Sequence, residues 1–171
     1  MVDGAGDSQQ ARRKWHDSLC AKPVEVPRSF HFYSDADSHV RHEIVNTFTA
    51  TGKPQTAVAG LVGDVYGRMR AAQRGEICDA DLLEPIRDVP TLWELKWKLG
   101  RLGEYRLYHA EPAADPELVA LRFHAKDVSG VTQAIIDEAQ DVEIGVAAQR
   151  YDDGVKNSWG HRKGCTDCLN P

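Results

Sequence analysis

The chain has 171 residues, 42% of them hydrophobic, and a formal net charge of −5. That is the size of one domain with a core, and the acidic balance excludes a bulk basic field of the kind that draws nucleic acid to a whole surface. No run approaches the roughly 18 apolar residues of a membrane span, and MVDGAGDSQQARRKW has no apolar stretch of signal-peptide type, so a cytoplasmic chain with its four cysteines reduced is expected.

Residues 1–27 are rich in Gly, Asp and Gln, with prolines at 23 and 27, and read as a flexible leader with room for a short helical piece over Ser8–Leu19. Ser29–Ser34 alternates Phe30 and Phe32 with His31 and Tyr33, the pattern of a short strand. Asp35 or Asp37 can then cap a helix over about Ala36–Ala50, whose stripe is Val40, Ile44, Val45 and Phe48. A second helix over Gln55–Arg74 carries Val58, Leu61, Val62, Val65, Met69 and Ala72, with Gly75 as its stop. The two make a helical hairpin. Ala80–Asp88 allows a short edge strand around Pro85, since proline is tolerated at an edge.

Thr91–Lys126 reads as a three-stranded meander. Trp93, Leu95, Trp97 and Leu99 alternate with Glu94, Lys96 and Lys98, the period of a half-buried strand. Gly103 supplies a turn, Tyr105–Glu111 follows, and Pro112 and Pro116 interrupt the ladder. On Glu117–Lys126, Val119, Leu121, Phe123 and Ala125 are expected on one face and Arg122, His124 and Lys126 on the other. The polar face then gathers Lys96, Lys98, Arg122, His124 and Lys126. Arg106 joins them or not according to register, because a slip of one residue changes its face. The stretch holds six Lys/Arg against five Asp/Glu, so a positive site has to come from the arrangement of faces. Trp93 and Trp97 are expected in the core, and so is His109.

Ser129 is expected to cap a last helix over Val131–Arg150, with its acidic stretch Asp137–Glu143 toward solvent. Residues 155–171 form a tail without periodicity. It offers His161-x3-Cys165-x2-Cys168 as three zinc ligands, and a structural site would need a fourth from Cys20, Cys78 or another histidine. An incidental tail is the favoured reading, with zinc binding and CxxC redox chemistry as the alternatives. The predicted organisation is an α+β domain over 28–154, a small antiparallel sheet with a helical hairpin and a C-terminal helix, between flexible extensions 1–27 and 155–171.

Leu92-Trp93-Glu94-Leu95-Lys96, Tyr105-Arg106-Leu107-Tyr108 and Val119–Lys126, in this order and spacing, resemble the RelE/HigB-type toxins of bacterial toxin–antitoxin pairs, with a RelE/ParE-like fold. The resemblance spans roughly Pro27 to Tyr151. It implies a toxin that cleaves mRNA, on the ribosome or free of it, without metal or other cofactor, and that a small antitoxin protein neutralises. It carries catalytic roles onto Lys96, Arg106 and Lys126.

Cleavage of this kind needs a base for the 2′-OH, positive charge on the scissile phosphate and an acid for the leaving oxygen. His124 titrates nearest neutral pH and is the expected proton-transfer group. Arg106 is the expected phosphate clamp. Lys98 and Arg122 are expected to hold the RNA backbone beside Lys96 and Lys126. A second reading stays open: a binding module of the same fold, inactive as a nuclease or directed at gyrase. Asp127, where the family often has a second basic residue, and the acidic balance both fit it.

Overall fold

The computed structural model describes residues 13–113, 117–126, 132–160 and 166–171. In chain order the main elements are β1 (Phe30–Phe32), α1 (Val40–Thr49), α2 (Gln55–Gln73), β2 (Leu83–Pro85), β3 (Leu92–Lys98), β4 (Glu104–Ala110), β5 (Leu118–Lys126) and α3 (Gln133–Gly154). They form an α+β fold with one five-stranded sheet in the order β1-β5-β4-β3-β2. The meander pairs antiparallel as expected, and β2 joins its edge with Pro85 at the strand end. β1 lies parallel to β5, so the sheet is mixed rather than purely antiparallel. The crossover through α1 and α2 is what permits parallel pairing of strands so far apart in sequence.

Alternation builds the core. Leu95, Trp97, Tyr105, Leu107 and Phe123 share one face and are buried. α1 covers them through Phe48, whose ring lies 4.8 Å from Tyr105 and 5.8 Å from Phe123 between centroids. α2 brings Tyr66 to Phe32 and Arg68 over Trp97. The expected alternation of β5 holds only in part. Register slips at Tyr108/His109, so Arg122 pairs with Tyr108 but His109 pairs with Ala120. Leu121 is the extra residue of a β-bulge, and Val119 consequently turns to the face opposite Phe123. The carbonyl freed at the bulge is taken by Arg150 of α3, whose Nη1 donates to Leu121 O at 2.7 Å.

The helix caps differ from expectation in detail. α1 begins at Val40 because the His39 side chain accepts from Arg41 N. Asp35 instead closes the preceding turn, accepting from Asp37 N, Ser38 N and Tyr33 Oη. The expected Ser129 cap lies outside the described residues; Thr132 precedes the first turn of α3. Gly103 has φ +96 and makes the β3–β4 turn. Gly75 ends α2 at φ +70, and a Cβ there would stand 1.9 Å from Lys22 O.

That contact belongs to a docked N-terminal segment. Trp15–Asp17 and Leu19–Ala21 form 3-10 turns, Cys20 is fully buried, and Arg28 donates to Leu19 O and Lys22 O. At the other end Leu169 exchanges two backbone hydrogen bonds with Phe30.

β1 is short, so β5 beyond Ala120 has a free edge. Glu43 of α1 fills it: one carboxylate oxygen accepts from Phe123 N, the other pairs with Arg122 and Arg150 at 2.7 Å each. Glu43→Gln should therefore cost about 1.5–3 kcal/mol, the range for a hydrogen bond to a charged group, read from urea denaturation midpoints. Glu76→Gln, on the exposed Arg74–Glu76 pair, should leave the midpoint unchanged.

Candidate functional site

Cross-strand register decides the polar face. Lys96 pairs with Arg106 and Arg106 with His124, so the three stand in one row across β3, β4 and β5. Glu94, Tyr108 and Arg122 form the next row on one side, and Lys98, Glu104 and Lys126 the row on the other. Arg106 thus joins the face, a result the sequence left to register.

A cleft of about 730 Å³ opens over this face, walled by the β2–β3 connection, the start of α3 and Arg13. Lys96, Arg106 and Lys126 line it, and so does Glu94. Among the described residues its charges balance: Arg13, Arg87, Lys96, Arg106 and Lys126 face Glu84, Asp88, Glu94, Asp137 and Asp141.

Arg106 is the centre of the arrangement. Only 5% of it is exposed, and it lies between two carboxylates. Its Nη2 donates to Glu104 at 2.5 Å, and its Nη1 donates to the Tyr105 carbonyl at 3.0 Å. Its Nε sits 2.7 Å from Glu94 Oε1, an ion pair too far off line to be a hydrogen bond. The hydrogen bond from Arg106 holds the Glu104 carboxyl below its usual range. Glu94 goes the other way. Burial pushes its carboxyl up and outweighs the attraction of Arg106 and Lys96. Lys96 pairs with Glu84 across the β2 edge.

His124 is placed on the row but not in the cleft lining. It is buried against the Tyr108 ring, 5.3 Å between centroids, with Nε2 3.3 Å from the Tyr108 hydroxyl. Burial lowers its basicity, and the Glu143 carboxylate only partly offsets that. The same burial pushes the Tyr108 hydroxyl far up. The expected proton-transfer role of His124 therefore meets a histidine kept neutral and enclosed.

The two expected RNA-backbone residues separate. Lys98 is exposed at the end of β3 and does not line the cleft. Arg122 is engaged on both sides, Nη1 with Glu43 at 2.7 Å and Nε with Glu143 at 2.5 Å. Burial would lower it, but the hydrogen bonds to those carboxylates raise it overall. Glu143 was expected toward solvent; α3 instead lies over the polar face and spends this carboxylate on Arg122. Trp93, Trp97 and His109 are buried as expected.

Glu94 shares the face of Lys96 and Lys98, and its pairing with Arg106 was the expectation that goes with the binding module; burial by α3 gives it chemical weight as well. Gln140 of α3 reaches it at 3.5 Å. In the tail, His161 and Cys165 lie outside the described residues. Cys168 is buried, with Sγ 3.3 Å from His31 Nδ1, and His31 Nε2 meets Glu117. No helix among the described residues is long and apolar enough to cross a membrane.

No protein-family model, curated protein or solved structure matches the chain.

Stability should carry the signature of His124. Its folded-state pKa lies below the ordinary value of 6.5. Between the two values the unfolded chain binds more protons, so stability is full above about pH 6.5 and is lost as pH falls through that window. Glu94 contributes with opposite sign: its raised carboxyl costs stability as pH rises above its ordinary 4.5. His124→Gln should flatten the loss of stability on acidification, measured as melting temperature at about pH 7.5 and about pH 5.5. His39 is shifted down as well, mainly by burial. The difference between variant and wild type isolates His124, and an unchanged pH profile would refute the assignment.

Proposed function

We propose that the chain is a RelE/HigB-type toxin that cleaves RNA in the cleft over β3, β4 and β5. The observation that carries this reading is the convergence of Lys96, Arg106 and Lys126 from three different strands on one cleft beside a buried carboxylate. Lys96 and Lys126 offset the phosphate charge, and Arg106 clamps the scissile phosphate once that anion replaces Glu94 or Glu104 as its partner. Glu94, with its carboxyl pushed up by burial, takes the 2′-OH proton as that oxygen attacks phosphorus. A lysine ammonium returns a proton to the departing 5′-oxygen, which leaves a cyclic phosphate and a 5′-hydroxyl. His124 supports the row from within the sheet rather than meeting RNA. The reaction needs no metal. The natural setting is the cytoplasm, with mRNA on the ribosome or free as substrate and a small antitoxin protein as inhibitor.

A second reading is favoured by a specific observation. Arg106 already has two carboxylate partners, and the cleft holds as many carboxylates as cations. A polyanion gains little field there. In this reading the same face contacts a protein, and gyrase-directed binding is one form of it.

The test is RNA cleavage by the purified chain with and without ribosomes. Arg106→Ala alone is ambiguous, because it strands Glu94 as a buried unpaired charge. Lys126→Ala, on a half-buried strand end, should lower cleavage by roughly 100-fold with the fold intact. Arg106→Lys keeps the charge and should lose a comparable factor through the lost fork geometry. Lys53→Ala, on the α1–α2 joint, should change nothing. Equal cleavage by wild type and Lys126→Ala would remove Lys126 from the site. Absence of cleavage by wild type under both conditions would favour the binding module.

A further inference from the structure

We propose that Cys20, His109 and Glu111 bind one transition-metal ion of the zinc class, which clasps the N-terminal segment onto the sheet. The three ligand atoms lie within 4.8 Å of one another, and none of the three residues lines the cleft. Cys20 Sγ is 3.3 Å from His109 Nε2, and that nitrogen is 3.3 Å from Glu111 Oε1. A tetrahedral ion about 2.3 Å from sulfur and about 2.0–2.2 Å from nitrogen and oxygen places such atoms about 3.3–3.6 Å apart. Two of the three separations are thus close to the edges of a zinc tetrahedron, and the third lies within 4.8 Å.

The donor set selects the ion. Thiolate, imidazole and carboxylate together suit zinc or cobalt and not magnesium or calcium, which take oxygen ligands. Cys20 and His109 are fully buried, and the Glu111 carboxylate is nearly so. Glu111 is also held in place: Ser18 Oγ donates to its Oε1 and Leu19 N donates to its Oε2 at 2.8 Å. Hydrogen bonds of this kind orient a ligating carboxylate. A water would complete four-coordination. Among the described residues His109 Nδ1 has no hydrogen-bond partner. A ligating histidine normally has one there, and its lack typically weakens binding by about 10–100-fold. The site is therefore a modest one. On binding, the Cys20 thiol proton leaves to solvent and the sulfur–metal bond forms, so occupancy falls on acidification.

The position gives the ion a structural role. The segment it fixes continues back to Arg13, whose Nη2 donates to the Ile86, Val89 and Leu92 carbonyls and whose guanidinium covers Trp93 at 4.6 Å.

The test uses the full chain, stripped with chelator and titrated with Co²⁺. Wild type should bind one ion with a thiolate-to-cobalt charge-transfer band, displaced by Zn²⁺. The band should persist in the Cys165→Ser/Cys168→Ser double variant, which separates this centre from the tail cysteines. It should vanish in Cys20→Ser, and affinity should fall at least tenfold in Glu111→Gln, which keeps the size of the side chain if Cys20→Ser does not fold. Metal should also slow tryptic cleavage after Arg13, Lys14 and Lys22. A wild-type chain without a stoichiometric thiolate band, a band that survives Cys20→Ser, or one lost with the tail cysteines would overturn the proposal.

Discussion

The burial of Arg106 is the constraint on which the polar side of this molecule depends. A guanidinium at the centre of a sheet, covered by a helix, is tolerable only with carboxylates beside it, because desolvation of a lone charge costs several kcal/mol. β3 and β4 supply them as Glu94 and Glu104, and register puts both within reach. The consequence runs in two directions. The site has a fixed, rigid cation where a phosphate clamp would be useful, and that cation starts out neutralised. Whatever anion enters must compete with Glu94, whose own carboxyl is already pushed up by burial. Such a carboxylate is more ready to take a proton than an exposed one.

The helices are tied to this sheet by polar contacts as well as by packing. α3 buries little apolar surface; Ile136, Ala147 and Gly154 are its buried residues. What holds it is Glu143 on Arg122 and Arg150 on the bulge carbonyl of Leu121 and on Glu43. α1 and α3 therefore meet through β5 in one charge network, Glu43–Arg122–Glu143 with Arg150. Arg122 is committed to that network, which is why a residue on the expected binding face acts as a tie between helices. The β-bulge is part of the same device, since it frees the carbonyl that Arg150 uses.

The N-terminal segment adds a third layer of dependence. Arg13 closes one side of the cleft, and the segment that carries it is anchored at residues 18–20 by Glu111 and His109, by Arg28 and by the Ile77 N–H to Cys20 O hydrogen bond. The anchor and the cleft lie on different parts of the sheet, joined through the backbone of the segment. Arg13 itself is held by three carbonyls and by the Trp93 ring.

Alternation and turn chemistry were enough to read most of the fold. Trp93, Leu95 and Trp97 against Glu94, Lys96 and Lys98 dictate a half-buried strand wherever it is placed, and Gly75 and Gly103 mark stops that only a residue free to take positive φ makes cheaply. The stripes of α1 and α2 follow equally from local sequence. Three things were decided only in three dimensions. Parallel pairing of β1 joins Phe30–Phe32 to residues nearly ninety positions away, and no local pattern specifies a partner at that distance. The bulge at Leu121 breaks the strand's parity without a local sign, because the extra residue is apolar like Val119 and Ala120 before it. The pairing of charges was the third: Lys96, Arg106, His124 and Lys126 were legible as a basic set, but whether each met solvent, a carboxylate or an aromatic ring depended on register and on α3. A charged residue is written in the sequence, whereas its partner and its solvation exist only once the chain has folded around it.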